Sequence, residues 1–349
     1  MSTLSSVMQA EALSTPNIIA TQLERNASIM QQIVTHLKKR SPEFIFTIAR
    51  GSSDHAAHFA NYLFARQSGL ICASLPPSLS SLYHCKLKVK NALAIGISQS
   101  GASPDICSSL QAAKEGGAIT IAIVNNTQSL LANIADFVIP LHTDKEKAVA
   151  ATKTYIASLT VLIQLVATLT ADTHLLNALQ KLPTALEQAS HCDWSHANQV
   201  LNNAVNLIVI ARGMGYPIAA EAALKFKETA NIHAEAFSAA EFQHGPMALV
   251  KPDFPLLFFA QHDETLASTL ALCEKMTQWN AQTLLAIPAS ASTQKNTAQY
   301  ELPLPPSLHP ICDPVVTIQA FYPMIAKLAQ QRGYDPDNPT NLRKVTETH

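Results

Sequence analysis

The stretch Ser98-Gln99-Ser100-Gly101-Ala102-Ser103 combines hydroxyls with a glycine and is followed at once by Pro104, a residue suited to the first turn of a helix. An apolar run ending near Ile97 reads as a strand, so these six residues form a strand-to-helix loop. Unpaired N–H groups and the positive end of the helix dipole both favour negative charge there, and a phosphate suits the loop. Taken alone, the same letters also fit a serine-rich turn with Ser103 as the N-cap. Gly51-Ser52-Ser53 is the corresponding loop one unit earlier, and in a doubly wound sheet such loops gather at the carboxyl ends of the strands, where two can share one ligand. Neither loop matches GxGxxG or the P-loop, so a phosphorylated small metabolite is expected rather than a dinucleotide or a nucleoside triphosphate.

A second group lies further along. Glu221, Lys225 and Glu228 are spaced by four and three, which puts them on one face of a helix among small alanines. The plain alternative is a solvated face with ordinary ion pairs. Downstream, His244 precedes Gly245-Pro246 and so falls in a loop, where catalytic histidines often sit. His55 and His58, with Asp54 beside them, offer too few ligands at clear spacing for a catalytic metal, and no HExxH or GxSxG is present. No metal and no organic cofactor is expected.

These residues need rigid elements to hold them. Ile48-Ala49-Arg50-Gly51 reappears as Ile210-Ala211-Arg212-Gly213, each copy ending an apolar run and followed by a turn and an alanine-rich helical segment. Strand-like runs at 44–49, 92–97, 119–124 and 137–141 alternate with helices at 104–114 and 130–135. The second half repeats this with strands at 207–211, 254–260 and 283–287 and helices near 266–279 and 316–331. Alternation of this kind implies a parallel sheet, and its duplication implies two similar α/β halves. The expected organisation is a helical segment at 1–40, a first domain at 41–175, a packed helical connection at 176–200, a second domain at 201–332 and a tail at 333–349. On composition the tail lies over the surface or over a site.

With 349 residues, 48% hydrophobic and 14% charged, the chain can bury two cores. Its 24 basic and 25 acidic residues, without a basic run, argue against nucleic acid or a membrane surface as partner. The apolar stretch 159–169 is short for a bilayer span and reads as a buried helix. The start lacks the marks of a secretory peptide, and the six cysteines lack a CxxC pair, which suits reduced thiols in a cytoplasm.

Taken together, the motifs resemble the sugar isomerase (SIS) domain proteins, most closely the isomerase half of glucosamine-6-phosphate synthase and its free-standing relatives, the SIS-type glucosamine-6-phosphate deaminases included. The resemblance runs from about Phe44 to the end. It is carried by SQSGAS at 98–103, AVAATKTY around Lys153, EAALKFKE at 221–228, HAEAF at 233–237, EFQHGP at 241–246 and NLRKV at 341–345. It implies an α/β fold of two flavodoxin-like SIS domains, each a three-layer sandwich on a parallel sheet, in tandem pseudo-symmetric repeat. It also implies a homodimer whose active site borrows residues from the partner.

By the same resemblance Ser53, Ser98, Gln99, Ser100 and Ser103 would hold the phosphate, and Ser52 and the backbone near Val149 the sugar hydroxyls. Glu228 would move a proton between C1 and C2, with Lys225 and Glu221 close by. His244 would open the ring, supplied across the dimer interface, and Lys344 would contact or form a Schiff base with the open-chain sugar, making the tail a lid. A carboxylate serves such proton transfer best when burial raises its affinity for the proton. Ala151 stands where the family has a serine, which removes one possible sugar contact. Residues 1–40 have no counterpart of the synthase's glutaminase domain, so glutamine-dependent synthesis is not expected of this chain by itself. The expected activity is glucosamine-6-phosphate deamination to fructose 6-phosphate and ammonia. A deglycase or isomerase for another amino-sugar or ketosamine phosphate, and a non-catalytic sugar-phosphate sensor, are the alternatives.

Overall fold

The computed structural model describes residues 6–291 and 297–344. Residues 1–5 of the N-terminal segment and 345–349 of the tail, including Val345 of the NLRKV motif, lie outside the described residues. The chain opens with helices α1 (Val7–Leu13), α2 (Thr15–Arg25) and α3 (Ala27–Arg40). Then come β1 (Phe44–Ile48), α4 (Gly51–Ser68), β2 (Cys72–Ser74), α5 (Ser78–Ser81), β3 (Ala92–Ser98) and α6 (Pro104–Glu115). The first half closes with β4 (Ile119–Val124), α7 (Leu130–Ile134), β5 (Phe137–Pro140) and α8 (Lys153–Thr170). After α9 (Thr173–Ser190) and α10 (Ser195–Leu201) follow β6 (Asn206–Ala211), α11 (Tyr216–Ala230), β7 (His233–Ser238) and α12 (Ala239–Phe242). The last elements are β8 (Pro255–Phe259), α13 (Leu266–Gln278), β9 (Gln282–Pro288), β10 (Tyr300–Leu304) and α14 (Asp313–Gln331).

Two compact units result, interleaved in sequence. One contains residues 17–146, 153–180 and 343–344; the other contains 6–16, 147–152, 181–291 and 297–342. In the first, a five-stranded sheet has the order β2-β1-β3-β4-β5 with every pair parallel. In the second, the order β10-β9-β8-β6-β7 read from its other end is the same arrangement, again parallel throughout. A parallel sheet needs helices on both faces, and its central strands therefore read as unbroken apolar runs. All residues of β3 (ALAIGIS) and β4 (ITIAIV) are buried. The helix α8 is long and apolar enough to cross a membrane, but 83% of that span is buried. It packs on α3 and α4 as a core helix of its unit.

The repeat is visible in the backbone as well as in the letters. Arg50 has φ −142 and ψ 153 and is followed by Gly51 at φ +55. Arg212 has φ −139 and ψ 153 and is followed by Gly213 at φ +58. A positive φ immediately after each first strand turns the chain sharply into its helix, and glycine reaches that conformation without strain.

Strands β2, β7 and β10 were not anticipated from the sequence; the others agree with the expected runs to within about two residues, the usual uncertainty of element ends.

Candidate active site

In a sheet of order 2-1-3-4-5 the chain turns one way after β1 and the other way after β3, so a crevice opens at the carboxyl ends of those two strands. Both serine loops leave the sheet at that switch point. Ser52 and Ser53 lie half-buried in the first turn of α4, and Ser98 to Ser103 run from the end of β3 to the start of α6. The amino ends of α4 and α6 thus face the same crevice with their dipoles and first N–H groups, the arrangement an anion requires.

The second loop is held by its own backbone. Ser98 Oγ accepts from Gly101 N at 3.1 Å and Ser100 Oγ from Ala102 N at 3.3 Å. The carbonyl of Gln99 accepts from Asn125 N, and that of Gly101 from Leu131 N, which ties the loop to the ends of β4 and α7. Gly101 is obligatory: its φ is +63, and a Cβ there would come to 2.1 Å from Ser129 Oγ. Ser103 occupies the N-cap of α6, but its hydroxyl makes no capping bond among the described residues. Ser103 is thus the N-cap that the sequence indicated, acting through its backbone and not through its hydroxyl.

One feature of this crevice was missed at the sequence level. Arg50 binds the buried carboxylate of Asp105 through Nε at 3.0 Å and Nη2 at 2.9 Å. Arg50 precedes the first serine loop and Asp105 lies in the first turn of α6, so the pair ties the two loops across the switch point. The signal available was Asp105 beside Pro104, which reads as an ordinary first-turn acid.

The second unit contains the same crevice with different letters. Ile48 pairs with Gly96 and Ile210 with Phe258, so counting three residues on sets Gln261 in register with Gln99 and Thr265 with Ser103. Asp263 and Glu264 then replace Gly101 and Ala102. Asp263 Oδ1 accepts from Thr265 N at 2.8 Å and Thr265 Oγ1 at 2.6 Å, so the carboxylate takes one N–H and one hydroxyl of this loop. The two crevices therefore differ: the second carries its own carboxylate where the first has Gly101.

The other predicted residues of α11 form a buried charge cluster. Lys225 lies between Glu221, at 3.4 Å, and Glu228, with which it also forms a hydrogen-bonded ion pair. Glu221 and Lys225 are fully buried, whereas Glu228 keeps about a fifth of its side chain exposed (21%). The solvated-face alternative is therefore excluded. Glu221 is held further by Tyr322 Oη from α14, at 3.3 Å. The helix end is fixed by Asn231 in the left-handed conformation and by Arg332 Nε donating to Ala230 O at 2.8 Å, which sets the position of Glu228 one turn before it. Alanines at 219, 222 and 223 let α11 approach β6 and β7 closely. The cluster offers one partly open carboxylate beside a buried cation that fixes its position, the geometry of a candidate base.

His244 is exposed on the turn after α12, its N–H donating to Glu241 O at 3.0 Å. Gly245 beyond it has φ +142, and a 3-10 turn at Pro246–Leu249 follows. Val149 is half-buried; its N–H donates to Asp337 O, and Glu11 caps Lys147 N and Ala148 N just before it. Asp337 also caps Val7 N and Met8 N at the start of α1, so this part of the tail is docked. Lys344 Nζ donates to Glu146 Oε2 at 2.7 Å. The first unit carries Ser52, Ser53, Ser98, Gln99, Ser100, Ser103 and Lys344, and the second carries Val149, Glu221, Lys225, Glu228 and His244. Among the described residues no group of three or more His, Cys, Asp or Glu is placed to hold a metal.

Comparison with known proteins agrees with this architecture. The SIS domain profile matches residues 40–168 and 200–326. The isomerizing glutamine–fructose-6-phosphate aminotransferase of Aquifex aeolicus (strain VF5) is 31% identical over 304 residues, covering 86% of this chain and 51% of that protein. That of Wigglesworthia glossinidia brevipalpis is 30% identical over 342 residues, covering 94% and 56%. The chain thus spans about half the length of the curated relatives it matches. Among solved structures, a provisionally assigned phosphosugar isomerase from Silicibacter pomeroyi DSS-3 superposes with a TM-score of 0.89 at 35% identity, covering 95% of this chain and 100% of that one. A glucosamine-6-phosphate deaminase from Thermotoga maritima shares the fold, with a TM-score of 0.74 at 18% identity and coverages of 98% and 100%. With both crevices, both sheets and the repeated turn in place, and the profile matching each half, the chain belongs to the SIS domain family.

Proposed function

We propose that the protein is a glucosamine-6-phosphate deaminase acting as a homodimer. The observation that carries this is Glu228: a partly open carboxylate on a rigid helix, flanked by buried Lys225, in a chain that also carries a phosphate cradle. The phosphate binds at Ser53, Ser98, Gln99, Ser100 and Ser103, and Ser52 with the backbone at Val149 takes sugar hydroxyls. His244, exposed on its turn and supplied by the partner subunit, moves the proton from O1 to the ring oxygen, giving the open-chain aldehyde. Glu228 removes the C2 proton and returns it to C1, which turns the amino aldehyde into a C2 imine carrying a C1 hydroxymethyl group. Water adds to that imine and ammonia leaves, giving fructose 6-phosphate. Lys225 holds Glu228 in place throughout, and Glu221 neutralises Lys225. Every step uses the chain's own acids and bases together with water.

Ammonia and fructose 6-phosphate are measured from purified protein supplied with glucosamine 6-phosphate, with galactosamine 6-phosphate and a fructosamine 6-phosphate in parallel. Release of both products from glucosamine 6-phosphate is expected, and Glu228→Gln lowers kcat about 10²–10⁴-fold while sugar phosphate still binds. Turnover of another of these sugars alone moves the substrate. Binding without turnover of any of them makes the protein a sensor and overturns the proposal.

A further inference from the structure

The tail lysine is held by Glu146 and not by the serine loops or the charge cluster of α11. Its partner, Glu146, is a carboxylate with a fully buried side chain, whereas the Lys344 side chain is 25% exposed. Glu146 is fixed from its far side by the amino end of α8: Oε1 accepts from Thr154 N at 3.2 Å and Oε2 from Thr154 Oγ1 at 2.8 Å. Lys153, the first residue of α8, donates from Nζ to Lys145 O at 3.2 Å and braces the turn in which Glu146 sits. A carboxylate at a helix amino end is favoured by the dipole, and a buried one makes a strong acceptor for a cation that reaches it. Lys344 Nζ, at 2.7 Å from Oε2, meets it. The acceptor is therefore fixed against the amino end of α8, and the tail brings Lys344 to it.

We infer that Glu146 is the positioning residue of the tail: its carboxylate docks Lys344 and fixes where that ammonium stands. The consequence for the substrate rests on the proposed reading, in which Lys344 meets the open-chain sugar; the docking itself does not. A lysine with four rotatable bonds at the end of a tail contributes little to a reaction unless something restricts it, and a charge-assisted hydrogen bond to a rigid, buried acceptor supplies that restriction. Glu146 touches no reacting atom in this scheme. It acts through Lys344, and so sets kcat rather than the affinity for the phosphate.

Hydrogen exchange of the segment 338–344, followed by mass spectrometry without any sugar, tests the docking. Glu146→Gln keeps the shape and one acceptor oxygen for Thr154 but loses the charge and the second acceptor that Lys344 uses, and exchange is expected to rise about tenfold, the scale of one charge-assisted bond. Glu146→Asp recovers part of the protection. Lys344→Met, at the exposed end of the pair, releases the segment equally and covers the case in which Glu146→Gln does not fold. In turnover of glucosamine 6-phosphate, Glu146→Gln lowers kcat about 10–100-fold with KM little changed, and the double variant Glu146→Gln/Lys344→Met is no slower than Lys344→Met alone, as for two residues acting as a unit. Unchanged exchange in Glu146→Gln or Lys344→Met, or additive losses in the double variant, overturns the inference. If the protein does not turn over glucosamine 6-phosphate and the exchange pattern still holds, the deaminase reading fails and the docking stands.

Discussion

Replacing Gly101 with alanine is a direct test of the phosphate cradle. The backbone there has φ +63, a conformation that costs an L-residue roughly 1–2 kcal/mol. The new Cβ would lie 2.1 Å from Ser129 Oγ and 2.6 Å from Ser129 Cβ, so Ser129 must move or the loop must retreat by about 1 Å. Ser129 is the N-cap of α7, accepting from Ala132 N at 3.3 Å, and loss of such a cap costs about 1 kcal/mol. Gly101→Ala is therefore expected to lose about 2–3 kcal/mol in equilibrium urea unfolding. A displacement of about 1 Å in the donors also weakens fructose 6-phosphate binding, about 10–100-fold by calorimetry. Ser129→Gly removes both close contacts, and glycine at an N-cap costs only a few tenths of a kcal/mol. The double variant should thus recover about 1 kcal/mol and retain the backbone strain. If Gly101→Ala is within about 0.5 kcal/mol of the parent and binds the sugar phosphate equally well, the reasoning about this loop is wrong.

Two further expectations concern buried charge. Lys225→Met leaves Glu221 fully buried without its cation and should cost about 3–5 kcal/mol, whereas Glu221→Gln/Lys225→Met together should recover most of that loss; denaturation of the three proteins distinguishes this from a surface pair, which would move stability by less than about 1 kcal/mol. Asp313 is buried, and burial pushes its carboxyl up to about 6 despite hydrogen bonds from Ser307 Oγ and His262 N. Because the folded state holds this proton more tightly than the unfolded chain, its contribution to stability is fully present below about pH 4 and is lost as pH rises through about 6. The parent protein should lose stability relative to Asp313→Asn across that window when unfolding is measured at fixed temperature; parallel pH profiles for the two would show that the group is not perturbed.

Much of the site was written in local sequence. Hydroxyls and a glycine between an apolar run and Pro104 specify a strand-to-helix loop, because proline is stable at a first helical position and the run 92–97 before it has no polar residue to interrupt it. The spacing of Glu221, Lys225 and Glu228 places them on one face in any helix. The repeated IARG tetrapeptide marked the duplication, and its backbone angles agree to within a few degrees between copies. The edge strands were harder to read. His233–Ser238 alternates polar and small residues, Tyr300–Leu304 contains Pro303, and Cys72–Ser74 is three residues long, so each lacks the sustained apolar signal that burial on both faces gives a central strand.

What the sequence determined by itself was the kind of chemistry: which loop can hold an anion, which helix face carries acid and base, and that the α/β unit occurs twice. Tertiary structure decided how the two copies of the crevice differ. Gln99 and Gln261 are equivalent only through strand register, and Asp263 accepts from Thr265 in the second loop with its own carboxylate. It also decided the partners of the charges. Glu146 and Lys344 are 198 residues apart, Arg50 and Asp105 are 55 apart, and nothing in the local pattern of either pair names the other. Propensity and periodicity act over a few residues, whereas a buried charge is matched by whatever the packed sheet brings within about 3 Å, and that distance exists only once the chain has folded.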